Sequence, residues 1–182
     1  ARGSGIQKSS IYYHYASKEE LLFSILKTTM DDLTAYLKES LSGVRDLESR
    51  MRAAISSHVR FHLERQKETF IANSELRGLT SEHYRAIVKK RDEYENIFQD
   101  LIREGGDLGV FSEGDVKILS YAILTLCTAG ASWFNPSGRL TPDEISVIYE
   151  NFIISGLRQN RNRSEAALVK TAVNNETPYF QG

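Results

Sequence analysis

Residues 5–22 read GIQKSSIYYHYASKEELL, a short stretch that carries three tyrosines, a histidine, two lysines and two isoleucines. If residues 7–14 form a helix, Ile11 and Tyr15 lie four positions apart on one face and can pack inward. Gln7, Lys8, Ser9, Ser10, Tyr12, Tyr13 and His14 then cover the remaining surface. Hydroxyls, an imidazole and lysine ammonium groups on so short an element suit phosphate oxygens and base edges in a DNA major groove. Gly5 supplies a tight turn, and the residues before it can end a preceding helix, so the stretch reads as the second half of a helix-turn-helix. An aromatic cluster on a short helix is equally a core or lid element, and periodicity alone does not separate the two.

The chain that follows is helical nearly throughout, with no convincing alternating strand. Ser17 and Glu20 form the S-x-x-E capping pattern, and Leu21, Leu22, Ile25, Leu26, Met30, Leu33, Leu37 and Leu41 make one apolar stripe behind it. After the break SGVRD, the positions Leu47, Met51, Ala54, Ile55, His58 and His62 mark the inner face of a helix to about Gln66. A shorter helical piece follows over 68–79. LTSEH then starts a helix whose stripe is Tyr84, Ile87, Val88, Arg91, Glu95, Phe98, Leu101 and Ile102, with Gly105-Gly106 as its expected stop. Ser112 reads as the cap of a helix over 113–133, apolar on most of its circumference and therefore expected to be buried on more than one side. Thr141, Pro142 and Glu144 combine an N-cap, a proline at N1 and a capping-box glutamate, and Ile145, Ile148, Tyr149, Phe152, Ile153 and Gly156 follow on one side of the last helix. The expected fold class is all-α.

Composition narrows the function. With 182 residues, 41% hydrophobic and 26% charged, the chain can bury a substantial core. A formal net charge of -1 confines any nucleic-acid surface to a local patch. Arg2, Lys8, Lys18 and Lys27 outnumber Glu19 and Glu20 at the start of the chain. Cys127 is the single cysteine, so no intrachain disulfide forms and a reducing cytoplasm is the natural compartment. The apolar run SYAILTLCTAGASWF reads as too short and too mixed to span a bilayer, and no signal-peptide pattern or membrane partner is expected. There is no GxGxxG, P-loop, CxxC or HExxH, and Asp31-Asp32 reads as a solvated helix face, so neither an enzyme nor a bound cofactor is expected.

GIQKSSIYYHYASKEELL resembles the signature of the TetR family of bacterial one-component transcription regulators, with matches at Gly5, Ser10, Ile11, Tyr12, His14, Tyr15, Ser17, Lys18 and Leu21. The resemblance makes Gln7 to His14 the recognition helix, with Tyr12, His14 and Lys18 on phosphates and Gln7, Lys8, Ser9, Ser10 and Tyr13 facing bases. It implies residues 1–38 as the remainder of a DNA-binding domain, 39–159 as a helical ligand-binding and dimerisation domain, and 160–182 as a tail. The tail's ETPYFQG partly resembles a protease-site remnant. Family members carry a full first helix and most of a second before the position of Gly5, so the helix-turn-helix is incomplete here and specific DNA binding is expected only of the longer protein. A fainter likeness, in KRDEYE…F…L…EG…GVF and WFNPSGRLTPDEI…GL, links the chain to TetR-type regulators of fatty-acid, sterol and aromatic-acid breakdown, several of which answer to acyl-CoA thioesters.

Polar and aromatic residues on inward stripes are the candidate effector contacts: His58, Phe61, His62, Phe70, Glu75, Tyr84, Arg91, Tyr121 and Trp133. His58 and His62 with Glu75 have the types for a metal set, but hydrogen-bonded core histidines are the commoner outcome and no metal is expected. Arg91 can pair with Glu75 or meet a ligand carboxylate or phosphate. Helices 113–133 and 143–157 present more apolar surface than one bundle covers, and Ala129, Gly130 and Ala131 permit close approach, so two copies are expected to join through an intermolecular four-helix bundle. Such a homodimer reads an inverted-repeat operator on double-stranded DNA. The rival expectation is a dimeric small-molecule-binding module without DNA binding. Replacing Tyr12 or Lys18 with alanine in the full-length protein should weaken binding to all DNA sequences and make the slope of log affinity against log salt shallower by about 1. Anisotropy titrations at several salt concentrations read this, and an unchanged slope removes the residue from the phosphate contacts.

Overall fold

The computed structural model describes residues 15–158; the expected recognition helix and the tail lie outside the described residues. Six helices follow one another: α1 Lys18–Leu41, α2 Leu47–Glu64, α3 Gln66–Ser74, α4 Ser81–Asp107, α5 Val116–Trp133 and α6 Pro142–Leu157, with a 3-10 turn at Leu76–Gly78 between α3 and α4. Among the described residues there is no strand, only an isolated bridge between Phe111 and Arg158. The fold is all-α. The expected domain boundary at residue 38 falls inside α1.

Local chemistry starts these helices where side chains can satisfy the unpaired N–H groups of the first turn. Glu20 N–H donates to Ser17 Oγ at 3.0 Å, and the Glu20 carboxylate accepts from Ala16 N–H at 2.9 Å. Asp46 caps α2, Thr80 caps α4, and Thr141 with Glu144 closes a full capping box on α6. Gly43, at φ 78°, turns the chain after α1.

Two sequence expectations shift. Asp115 caps α5 through Lys117 N–H and Ile118 N–H, both at 3.0 Å, so the helix begins at Val116 rather than after Ser112. Ser112 instead ties the chain to the end of α6, its N–H donating to Leu157 O at 2.7 Å and its hydroxyl to Arg158 O at 3.0 Å. α4 also continues through Gly105-Gly106 to Asp107, because Gly105 is a close-approach position rather than a stop.

α2 is the central helix and packs most extensively on α6, α5 and α1. Leu37, Met51, Ile55, Val59, Phe98, Leu101, Cys127 and Ile154 form the main core. A second cluster of Leu26, Ala72 and Ile87, joined by Leu22, Phe23, Ile71, Leu76 and Leu79, ties the first half of α1 to α3 and α4.

Within a single chain α5 is buried along one face. Only Ser120, Ile123, Cys127 and Gly130 are buried, while Ile118 is 61% and Trp133 56% exposed. The α6 stripe also divides: Ile145 and Ile153 face the core, whereas Ile148 and Phe152 are exposed, Phe152 at 69%. By length and composition alone α5 is apolar enough to cross a bilayer, unlike the shorter run read from the sequence. Its buried face packs against α2 and α4 as a wall of the bundle.

A Cβ at Gly105 would lie 1.9 Å from the ring of Phe111, which is 1% exposed and fixed by Phe111 N–H donating to Gly105 O at 3.0 Å. Gly105→Ala is expected to lower stability by about 1–3 kcal/mol, the range for overpacking a filled core, and the urea unfolding midpoint reads it.

Candidate functional site

α1 to α5 surround a cavity of about 510 Å³. Met30 and Leu33 of α1, Phe61 of α2, Ala72 of α3, and Leu124 and Ala129 of α5 give it apolar walls. Thr29, Thr69, Thr125 and Thr128 add hydroxyls, Tyr94 and Tyr121 phenols, and Asn73, Arg91 and Glu95 stronger polar groups. Apolar walls with a few placed polar groups are the usual make-up of a small-molecule site, and the volume lies in its range.

The histidines come from adjacent turns of α2, with rings stacked 4.1 Å apart. His58 is held at both nitrogens, Nδ1 2.8 Å from the Tyr94 hydroxyl and Nε2 3.0 Å from Thr128 Oγ1. Burial, then the neighbouring His62, pushes its pKa well below 6.5. His62 Nδ1 donates to the His58 carbonyl at 2.9 Å, and burial brings its pKa down to about 4. Both rings are neutral near pH 7. Burial also raises the Tyr94 phenol well above its usual range and the Cys127 thiol to about 12.

Arg91 enters the cavity wall from α4, and one of its terminal nitrogens donates to Ala72 O at 2.6 Å. Burial lowers its pKa, but a guanidinium stays charged in water at neutral pH. No described carboxylate forms an ion pair with it. One turn on, Glu95 Oε1 accepts from Gln99 at 2.6 Å and from Ser120 at 2.9 Å. Thr69 Oγ1 is occluded and has no partner among the described residues.

The cavity gathers His58, Phe61, His62, Arg91 and Tyr121 of the expected contacts. Phe70, 70% exposed on the outer side of α3, does not line it, nor do Glu75 at the α3 C-cap, the half-exposed Tyr84 in the first turn of α4, or Trp133 at the end of α5. Glu75 therefore neither pairs with Arg91 nor joins the histidines, and among the described residues no group of three potential metal ligands occurs. Sequence reasoning passed over Thr29, Thr69, Tyr94, Glu95, Thr125 and Thr128 as contacts. The threonines interrupting an apolar run on α5 were the available signal.

Lys18, an expected phosphate contact, is exposed in the first turn of α1. Gln7, Lys8, Ser9, Ser10, Tyr12, Tyr13 and His14 lie outside the described residues. Next to Lys18, Glu19 Oε1 accepts from Thr80 N–H at 2.9 Å and from His83 Nδ1–H at 2.8 Å, and Phe23 stacks on the His83 ring at 3.7 Å. The start of α1 is thereby fastened to the start of α4.

A six-helix bundle with a partly open amphipathic cavity, preceded in sequence by a helix-turn-helix signature, has the architecture of the effector domain of a transcription regulator. Residues 45–157 match the family described as tetracyclin repressor-like, C-terminal domain, and the chain belongs to that family. It is 23% identical over 164 residues to the HTH-type transcriptional repressor KstR2 of Rhodococcus jostii, covering 89% of this chain and 80% of the relative. The TetR-family regulator PfmR of Thermus thermophilus superposes with a TM-score of 0.77 at 28% identity, over 87% of each chain. AibR, solved in complex with isovaleryl coenzyme A and operator DNA, shares the fold with a TM-score of 0.73 at 23% identity, over 81% of this chain and 80% of its own.

The neutral histidines set a pH dependence. Unfolded, each titrates near 6.5, whereas His62 in the fold titrates at about 4, so the unfolded chain binds more protons between these values and stability falls as pH drops through that window. The carboxylates Glu19, Asp31, Asp46, Glu48 and Glu144 are lowered from 4.5 or 3.8 by hydrogen bonds, and their contribution is lost only below those values. The urea midpoint should therefore already fall between about pH 6.5 and 5, and His62→Asn should make that fall shallower.

Proposed function

We propose that the protein is a homodimeric, cytoplasmic transcriptional repressor that leaves an inverted-repeat operator when a small molecule, an acyl-CoA thioester, occupies the cavity. The observation that carries this reading is the Arg91 guanidinium, half-buried in an otherwise largely apolar wall and without a carboxylate partner among the described residues. A buried cation of that kind favours an anionic ligand. A thioester brings an acyl chain for Met30, Leu33, Phe61 and Leu124 and phosphates for the guanidinium. The coenzyme A ligand of AibR supports the same class by analogy.

Dimerisation is supported by the exposed apolar faces of α5 and α6. Ile118, Leu126 and Trp133 on one and Val147, Ile148 and Phe152 on the other are exposed large apolar side chains of the kind that mark an interface; of the small residues expected to permit close approach, Ala129 is exposed, whereas Gly130 is buried within the chain. Tyr121, Thr125 and Ala129 are exposed and also line the cavity, so effector site and interface adjoin. A change at one can alter the separation of the two reading heads.

Fluorescence anisotropy of the full-length protein on DNA from beside its own gene tests the proposal, at two salt concentrations and with a panel of acyl-CoA thioesters. Tight, salt-sensitive binding released by a thioester is the expected result, and no binding at either salt would leave a ligand-binding module without DNA binding. Arg91→Ala should raise the thioester Kd, read by calorimetry, by roughly 10-fold to 100-fold, the scale of a lost charged hydrogen bond.

A further inference from the structure

The polar groups of the cavity wall are unequal in kind. His62 is 8% exposed, and its Nδ1 proton is committed to the His58 carbonyl, which can only accept. The ring therefore presents a lone pair at Nε2, and no described residue donates to it. Glu95 is a second acceptor: Oε1 takes the hydrogen bonds of Gln99 and Ser120, and no described donor reaches Oε2. His58, by contrast, is satisfied at both nitrogens and has nothing to offer a ligand. His62 Nε2 and Glu95 Oε2 are thus two open acceptors on a wall whose donors include Arg91, Asn73 and the Thr69 hydroxyl.

An unsubstituted alkyl chain filling this space would displace any water from His62 Nε2 and leave the nitrogen unpaired, which is costly in a buried setting. A hydroxyl on the chain would donate to it. We infer that the cavity selects a hydroxylated acyl chain over a saturated chain of equal length, with the ligand hydroxyl donating to His62 Nε2. This rests on the acyl-thioester reading above and adds to it the residue that sets chain specificity.

Isothermal titration calorimetry of the full-length protein with a saturated acyl-CoA and with hydroxyacyl-CoAs of the same length, the hydroxyl placed near the thioester, mid-chain or at the terminus, tests the inference. At least one hydroxy isomer should bind roughly 10-fold tighter than the saturated thioester, and His62→Phe should reduce that preference to within about two-fold. His62→Leu, a smaller apolar replacement, gives the same reading if the phenylalanine variant fails to fold. Equal binding of all isomers, or a preference that survives both replacements, overturns the inference while leaving the thioester class intact. Binding of none of them overturns the thioester class and the inference together.

Discussion

Almost everything in this bundle depends on α2 being surrounded on nearly every side. A helix so placed cannot keep a solvated polar face, yet it carries Ser56, Ser57, His58 and His62 among its buried residues. Each must find a partner inside, since an unpaired buried polar group costs about 1–3 kcal/mol. Ser56 meets Ser146 of α6 at 3.0 Å, Ser57 donates to Ala54 O, and His58 reaches Tyr94 of α4 and Thr128 of α5. These directional bonds fix three neighbouring helices against one central rod, where apolar packing alone would tolerate sliding. The cavity is the space left beside that rod.

The features that arise from local chemistry were legible in the sequence. The caps at Ser17 and Thr141 act between residues three apart, and the all-helical pattern follows from side-chain spacing, so each could be read without knowing the neighbours. What failed to be legible involves partners beyond the local helical turn. Ser112 has the right chemistry for an N-cap, but the carbonyls of Leu157 and Arg158 take its hydrogen bonds and Asp115 supplies the cap instead. Gly105 looks like a helix stop until Phe111 is seen to fill the space above it.

The candidate site divides in the same way. Periodicity identifies the inward stripe of a long helix, which is why His58, His62 and Arg91 meet at one cavity. It is weak on α3, a nine-residue helix whose few positions hardly define a stripe, and there Phe70 points outward while Thr69 and Ala72 turn in. On α6 the pattern marks Ile148 and Phe152 as apolar without saying whether they meet their own core or a second copy. A single sequence carries no signal that separates those two kinds of burial.

For a ligand in the cavity to alter a reader at the far end of α1, both must bias one element with two arrangements. α1 is placed to be that element. Thr29, Met30 and Leu33 line the cavity, while Leu26, one turn earlier, belongs to the second cluster with Ala72 and Ile87, and Glu19 is fastened to Thr80 and His83. Arg91 bridges the two regions, because its bond to the Ala72 carbonyl holds the end of α3 that packs under Leu26. An anion drawing Arg91 toward the cavity would compete with that carbonyl, and the second cluster would lose a restraint at the point where it grips α1. The size of the response is then limited by how differently the ligand binds with Arg91 on Ala72 and with Arg91 released, whatever its total affinity.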